Sequence, residues 1–333
     1  MPRALLRIEQ AGQLTTIQDA GRFGHLRHGV TWSGPVEPLG FAAAHAALGN
    51  TPGGAAIELS HGGIALRCLE GPVRFALAGG DFSASLDGQM LNGWTTGVLN
   101  PGARLVIRDG AGSNWATLAF AGSIEAPHWL GSAATLALAG LGGGRLAAGE
   151  SITIDAAPVA DTGNRAIVPP PTDTGPIRIV PGPQHEFFTA ETRALLTTAS
   201  FTAALAFDRM GMVLDGPPLP PLSLTMLSTP VIRGGIQING AGTATVLLAD
   251  HQTTAGYPRI ATVISADLPR IAQLRPGAPL RFAAISAAEA VRIARQAAQA
   301  RGAWLAIVGD TRSLLDRLLG TNLVDGVISA EAL

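Results

Sequence analysis

The sequence predicts a mostly β protein made of two domains of similar size, and three observations carry that prediction. Charged residues are 14% of the 333-residue chain, while 42 Gly and 23 Pro punctuate it at short intervals; an average globular protein has roughly 25% charged residues. Short apolar segments recur between these breaks, at lengths that suit strands better than helices. The pattern lapses over 155–174, which holds Pro158 and the run Pro169-Pro170-Pro171, and then restarts. The expected domains are therefore 1–160 and 175–285, with a Pro-rich linker at 161–174 and a C-terminal extension at 286–333.

In the first half, apolar segments at 4–8, 63–69, 73–78, 82–86, 104–108 and 116–121 read as strands. Leu86-Asp87-Gly88-Gln89 and Asn100-Pro101-Gly102 between them are hairpin-turn signals. One helix interrupts the strands at 38–48, where Phe41, Ala44, His45 and Leu48 share a face and Gly49 can take the left-handed position beyond the last turn. In the second half, 177–180, 201–207, 212–214 and 245–248 read as strands, 189–196 as a short helix, and 216–221 as a stiff proline loop. Ser286-Ala287-Ala288-Glu289 is a capping box that opens an alanine-rich helix expected to end at Gly302. A strand at 304–308, a helix at 311–319 and an apolar run at 323–328 would complete a small α/β extension.

Several function classes are excluded. All 23 basic residues are arginine, so neither Schiff-base chemistry nor a P-loop lysine is available. A net charge of -1 without a basic stripe gives nucleic acid no electrostatic footing. Residues 1–10 carry Arg3, Arg7 and Glu9 and do not read as a signal peptide, which points to the cytoplasm. A long uncharged stretch, 126–144, is broken by Pro127, His128 and five glycines, so no membrane span is expected there. The single cysteine, Cys68, stands in an apolar run and reads as a buried small hydrophobe.

Two polar signatures stand out. In Thr15–Gly24, Gln18, Asp19 and Arg22 lie beside Gly21 and Gly24, so a sharp turn presents three polar side chains together. Arg22 could grip an anion bidentately, or Asp19 and Arg22 could pair to fix the turn. In Asp250–Ala261, a carboxylate, an amide, two hydroxyls, a phenol and a guanidinium fall within ten residues: Asp250, Gln252, Thr253, Thr254, Tyr257 and Arg259. That loop suits a small polar substrate, or a turn whose hydroxyls satisfy neighbouring backbone. Asp208-Arg209-Met210-Gly211 and Arg233-Gly234-Gly235-Ile236-Gln237 place further polar groups beside glycines. His25 and His28 lack a completing ligand, so no metal site is expected. His45 reads as a buried imidazole, and 140–144 as a weak phosphate loop without the required glycine order.

Together with Thr31-Trp32-Ser33-Gly34-Pro35 and the run Ile264–Gly277, these signatures resemble the carboxyltransferase-like family that includes the C subunit of 5-oxoprolinase, the KipA proteins and the carboxyltransferase part of urea amidolyase. The resemblance implies two consecutive cyclophilin-like β-barrel domains with a shared cleft, and closed barrels would leave few sheet edges exposed. It also implies an ATP-dependent hydrolase of 5-oxoproline, with or without Mg²⁺, active alongside a cyclophilin-fold protein like the enzyme's B subunit, and a further protein like its A subunit. On that reading Asp250, Tyr257 and Arg259 are catalytic, and Gln18, Asp19, Arg22, Glu37, Arg209, Gln237, Gln252, Thr253 and Thr254 bind substrate. The alternatives are carboxyl transfer to urea or a related amide, with biotin supplied by another protein, and a diverged KipA-type regulatory protein.

The chain departs from the family pattern at three places. Glu37 stands where an aspartate is usual, Ala255 replaces a usual glycine, and Ala133 stands where an arginine is expected. Losing a guanidinium from an anion site removes a contact of about 1.5 to 3 kcal/mol. An alanine at 255 would strain the loop only if that position needs positive φ.

Overall fold

The computed structural model describes residues 2–159 and 163–310. Residues of the first half form two sheets. The seven-stranded one runs in the order Gly122–Ile124, Ser151–Ala156, Arg3–Ala11, Ile64–Glu70, Arg104–Arg108, Ser83–Leu86, Gln89–Leu91. The six-stranded one runs Arg165–Ala166, Thr95–Leu99, Val73–Ala78, Ala116–Phe120, Ala56–Leu59, Thr16–Gln18. Alternation decides the inward faces: Ala4, Leu6 and Ile8 are buried while Arg3 and Arg7 are exposed. These residues meet Phe75, Leu118 and Phe120 in one core.

The two turn signals had different outcomes. Asp87 (φ 49°) and Gly88 (φ 84°) join Ser83–Leu86 to Gln89–Leu91 in the expected hairpin. Asn100-Pro101-Gly102 does not make a hairpin. The strand before it pairs with Val73–Ala78 and the strand after it with Ile64–Glu70, so this turn carries the chain from one sheet to the other. The two turns differ locally: Asp87 and Gly88 both take positive φ, as a two-residue hairpin needs, whereas Pro101 cannot and only Gly102 (φ 88°) does, a turn that splays its flanking strands and leaves each to pair elsewhere.

The second half folds as one eight-stranded sheet whose edge strands, Pro279–Leu280 and Phe282–Ala284, are separated in sequence only by Arg281. One short piece of chain therefore spans both edges, and the sheet curls into a nearly closed barrel around Ile179, Phe201, Met212, Ile236 and Val246. The protein is mostly β.

Four α-helices complete the described residues. Helix α1 (Pro38–Leu48) is capped by the Glu37 carboxylate and ended by Gly49 at φ 67°. Helix α2 is Ala190–Thr198, with Thr189 as its N-cap, and α3 is the short Leu268–Ala272. Helix α4 (Ala287–Gly309) begins at the predicted Ser286 cap but does not stop at Gly302.

Residues 304–308 are thus the last turns of α4 rather than a strand. Trp304 and Val308, one helical turn apart, bury against Phe41, Ala44 and Ala47 of α1, and Trp304 Nε1 donates to Val168 O at 2.8 Å. That packing overrides the unfavourable helix propensity of Gly302, where an added Cβ would point into open space. The helix expected at 311–319 and the run at 323–328 lie outside the described residues, so over its described part the extension is helical. The Pro-rich segment also holds a strand, Arg165–Ala166, paired to Thr95–Thr96. The Arg165 guanidinium donates to Ala47 O (3.3 Å) and Val308 O (2.9 Å), joining the C-terminal ends of α1 and α4. No helix among the described residues is long and apolar enough to cross a membrane.

Candidate functional site

The two halves meet at Arg209, which is 4% exposed. Its Nε and Nη2 donate to Asp250 at 2.8 and 3.1 Å, its Nη1 donates to Glu58 Oε1, and its Nη2 also donates to Gly34 O at 2.7 Å. Asp250 comes from the second half, Glu58 and Gly34 from the first. The Val36 N–H donates to the second oxygen of Glu58 at 2.6 Å. The two carboxylates hold the Arg209 guanidinium protonated well above its usual range, against burial. Burial pushes the Glu58 carboxyl up, and Arg209 pulls it back. Arg233 lies alongside, donating to Pro35 O (3.2 Å) and Val36 O (2.5 Å), and burial pushes it down to about 10. Four hydrogen bonds from three nitrogens, two of them side by side on Asp250, need a planar fork of donors, which arginine has and lysine lacks. Asp250 and Arg209 are therefore placed as a mutual ion pair at the junction, and what that geometry can do is hold the start of the 250–259 loop.

Beyond Asp250 the loop opens onto a cavity of about 500 Å³ lined by Gln237, Gln252 and Tyr257, with Asp208, Asn239 and Thr245. Gln252 Nε2 donates to Gln237 Oε1 at 3.0 Å. Gln237 is 5% exposed, and its Nε2 is buried without a hydrogen-bond partner among the described residues. Tyr257 is half-exposed. Thr253 accepts the Val231 N–H through its carbonyl at 3.0 Å, while Thr254–Ala255 pairs with Thr229–Pro230 in a two-stranded ribbon that leaves Thr254 exposed.

Arg259 does not line this cavity. It starts the strand Arg259–Val263, is 6% exposed, and donates from Nε to Gln184 Oε1 (3.2 Å) and from Nη2 to Thr229 Oγ1 (3.3 Å). Its stem crosses Gly235, where an added Cβ would lie 3.4 Å from Arg259 Cδ. Burial lowers its pKa, and no carboxylate among the described residues offsets that. A buried guanidinium held only by neutral groups can accept an anion.

The first signature is packed rather than open. Asp19 accepts from the Gly21 N–H (2.8 Å), Ser132 Oγ (2.6 Å) and the Ala133 N–H (2.6 Å). Arg22, 2% exposed, donates to Ser33 Oγ at 3.0 Å and to Ala134 O, and it lies 5.1 Å over the Trp129 ring. Gln18 Nε2 donates to Thr16 Oγ1 (3.0 Å) and Thr135 O (3.2 Å). Asp19 and Arg22 thus grip the 131–135 segment instead of each other. Glu37 receives the Leu39 and Gly40 N–H groups at 2.8 and 2.6 Å and caps α1, with burial pushing its carboxyl up. It also reaches a larger cavity, about 980 Å³, between α3, α4 and 169–173. The arginines there are paired: Arg178 with Asp267 at 2.5 Å, Arg270 with Asp267 at 3.6 Å, and Arg292 with Glu289 at 3.5 Å.

Sequence reasoning missed Glu58, Ser132, Trp129 and Gln184. Glu58 had a signal, since a carboxylate inside Ala55-Ala56-Ile57-Glu58-Leu59 needs a partner when that run is buried. The partner is 151 residues away and was not readable.

Known proteins fit this arrangement. The family model described as carboxyltransferase domain, subdomain A and B, matches residues 28–284, which include the Arg209 junction and the whole 250–259 cavity loop. This chain belongs to the carboxyltransferase-domain family.

Its relatives include the C subunit of 5-oxoprolinase from Escherichia coli K12, 32% identical over 88% of this chain and 94% of that protein. The C subunit from Haemophilus influenzae is 31% identical over 84% of this chain and 91% of that protein. A putative urea carboxylase of Emericella nidulans is 28% identical over 85% of this chain but only 24% of that protein. Among solved structures, TTHA0988 superposes with a TM-score of 0.76 at 32% identity, covering 84% of this chain; the present chain spans 56% of its length.

Two departures within the carboxyltransferase domain now have a physical reading. Ala255 sits in the ribbon with no positive φ and packs on Val231 and Leu247, so alanine is unstrained there. Ala133 is fully buried and its N–H serves Asp19, so the position expected to carry an arginine here closes the packed first signature.

Proposed function

We propose that this carboxyltransferase-domain protein is the counterpart of the C subunit in an ATP-dependent 5-oxoprolinase that opens 5-oxoproline to glutamate. The observation that carries the reading is the amide-lined cavity at the second signature, in a chain that aligns with the C subunit of the Escherichia coli 5-oxoprolinase over 94% of that protein's length. ATP cleavage would supply the activation that makes a lactam carbonyl electrophilic. This chain's own share is to bind and orient: Gln237, Gln252 and Tyr257 at the cavity hold the amide, and Arg259 is the buried cation for an anionic group. Asp250 and Arg209 act as positioning residues, because each already occupies the other's charge.

Among the described residues no group of three or more His, Cys, Asp or Glu side chains is placed to hold a metal ion, and no step is assigned to Mg²⁺. We infer a cytoplasmic complex with two partners, one like the cyclophilin-fold B subunit of that enzyme, the other like its A subunit. The urea carboxylase relative favours a second reading, carboxyl transfer to an amide nitrogen, for which biotin must come from another protein because this sequence has no lysine to carry it.

The test is ADP release by the chain co-purified with its two partners, with and without 5-oxoproline. The proposal expects a 5-oxoproline-dependent rate that Arg259→Ala lowers at least tenfold. A folded complex with no stimulation would overturn it, and urea-dependent consumption of carboxybiotin by the same complex would install the second reading.

A further inference from the structure

We propose that the Gln237–Gln252–Tyr257 cavity is a subsite for the uncharged edge of a cyclic amide, the side-by-side C=O and N–H of a lactam or cyclic urea, and that it does not receive the carboxylate of its ligand. This inference rests on the amide-substrate reading above and narrows it to one chemical group at one place.

Three features of the cavity lead there. The first is an unmet donor. Gln237 lines the cavity from the barrel strand Gly235–Ile238, is 5% exposed, and has a buried Nε2 without a partner among the described residues. An unsatisfied buried amide is costly, and a ligand carbonyl is the group that would relieve it. The second is an acceptor beside that donor. Gln252 Nε2 donates to Gln237 Oε1 at 3.0 Å, which orients both carboxamides and leaves the Gln252 carbonyl oxygen as an acceptor for a ligand N–H. Donor and acceptor adjacent in one wall match an amide constrained to the cis form by a ring, whose C=O and N–H point the same way. The half-exposed Tyr257 hydroxyl at the same cavity can serve either ligand atom.

The third feature is charge. The described residues that line the cavity include one carboxylate, Asp208, and neither arginine nor histidine. An anion entering there would lose water without gaining a counter-charge and would meet Asp208. The nearby cation, Arg259, does not line this cavity. Its backbone is paired across the ladder with Gln237, but its guanidinium donates to Gln184 and Thr229, neither of which lines the cavity. The cavity therefore selects for a neutral group, and any carboxylate on the same molecule lies outside it.

Tyr257 is the sole tyrosine of the chain, so 3-fluorotyrosine labelling of this chain yields one ¹⁹F resonance located at the cavity. The full-length labelled chain, alone and in complex with its partner proteins, is titrated with 2-pyrrolidinone, 2-imidazolidinone, N-methyl-2-pyrrolidinone and acetate. The expected result is a saturable shift with 2-pyrrolidinone and 2-imidazolidinone, roughly tenfold weaker for the N-methyl compound, which has no N–H to give, and absent for acetate. Gln237→Leu removes the shift; if that variant does not fold, Gln252→Leu at a less buried position must weaken it by a similar factor. Equal shifts from 2-pyrrolidinone and its N-methyl analogue, a stronger response to acetate, or no shift at all would overturn the proposal. Failure of ADP release with the ¹⁹F shift intact would remove the oxoprolinase reading and leave the subsite standing, so the two outcomes are separable.

Discussion

Arg209 of the second half donates to Glu58 of the first where both side chains are almost free of solvent, 4% and 3% exposed. The pair joins the two halves by charge at a point where Asp250, the first residue of the second signature, shares the same guanidinium. Breaking one partner of a buried ion pair strands the other charge. Glu58→Gln is expected to cost about 3 kcal/mol in urea unfolding, and a Glu58→Gln/Arg209→Ala cycle should show coupling of at least about 1 kcal/mol. Additive losses would mean the two residues contribute separately.

His45 makes stability depend on pH. It is 3% exposed inside α1, its Nε2 has no partner among the described residues, and burial pushes it down to about 4. The folded value lies below the unfolded value of about 6.5, so the folded state resists a proton that the unfolded chain accepts. The associated stability is complete above about pH 6.5 and falls as pH drops toward 4, by up to about 3 kcal/mol. Thermal unfolding should show Tm decreasing over that window, and His45→Gln should flatten the slope. An unchanged slope would place the titration elsewhere.

The continuous helix α4 has its own test. Gly302→Ala should raise stability by up to about 1 kcal/mol, because an added Cβ would meet no neighbouring atom and the residue is within the helix. Trp304→Ala should lower it by about 3 kcal/mol through lost packing on α1 and the lost Val168 hydrogen bond. Both are read from denaturant midpoints. A destabilising Gly302→Ala would indicate that the helix ends there.

At position 255 the measurement is a simple back-substitution. Ala255→Gly, restoring the usual family residue, should cost about 0.5 to 1 kcal/mol, since alanine is unstrained in the ribbon and glycine frees the unfolded chain. A gain in stability would show that the position prefers a conformation alanine resists.

The fold was legible where local rules and burial agree. The helix at 38–48 has its buried face and its terminal Gly49 written within a dozen residues, though not its Glu37 cap, and Ser286 marks the start of α4. Pairing partners were not, as the turn at Asn100 and the strand Arg165–Ala166 illustrate, because they depend on residues far along the chain. The end of α4 was misread for the same reason, since Trp304 becomes helical by packing on α1, more than 250 residues earlier. In the site, residue types and spacing singled out Gln252 and Tyr257 in one loop and Gln237 in a separate segment, and only the assembled structure brings the three to one cavity. They could not tell an open carboxylate from one already held, so the pairing of Asp250 with Arg209 and the burial of Asp19 and Arg22 required the assembled structure.

The central claim is tested most directly by following both products of the co-purified three-protein complex supplied with 5-oxoproline and ATP. The account predicts glutamate and ADP in equal amounts, with both lost together in Gln237→Leu. A folded complex that makes no glutamate, or that releases ADP independently of 5-oxoproline, would contradict it.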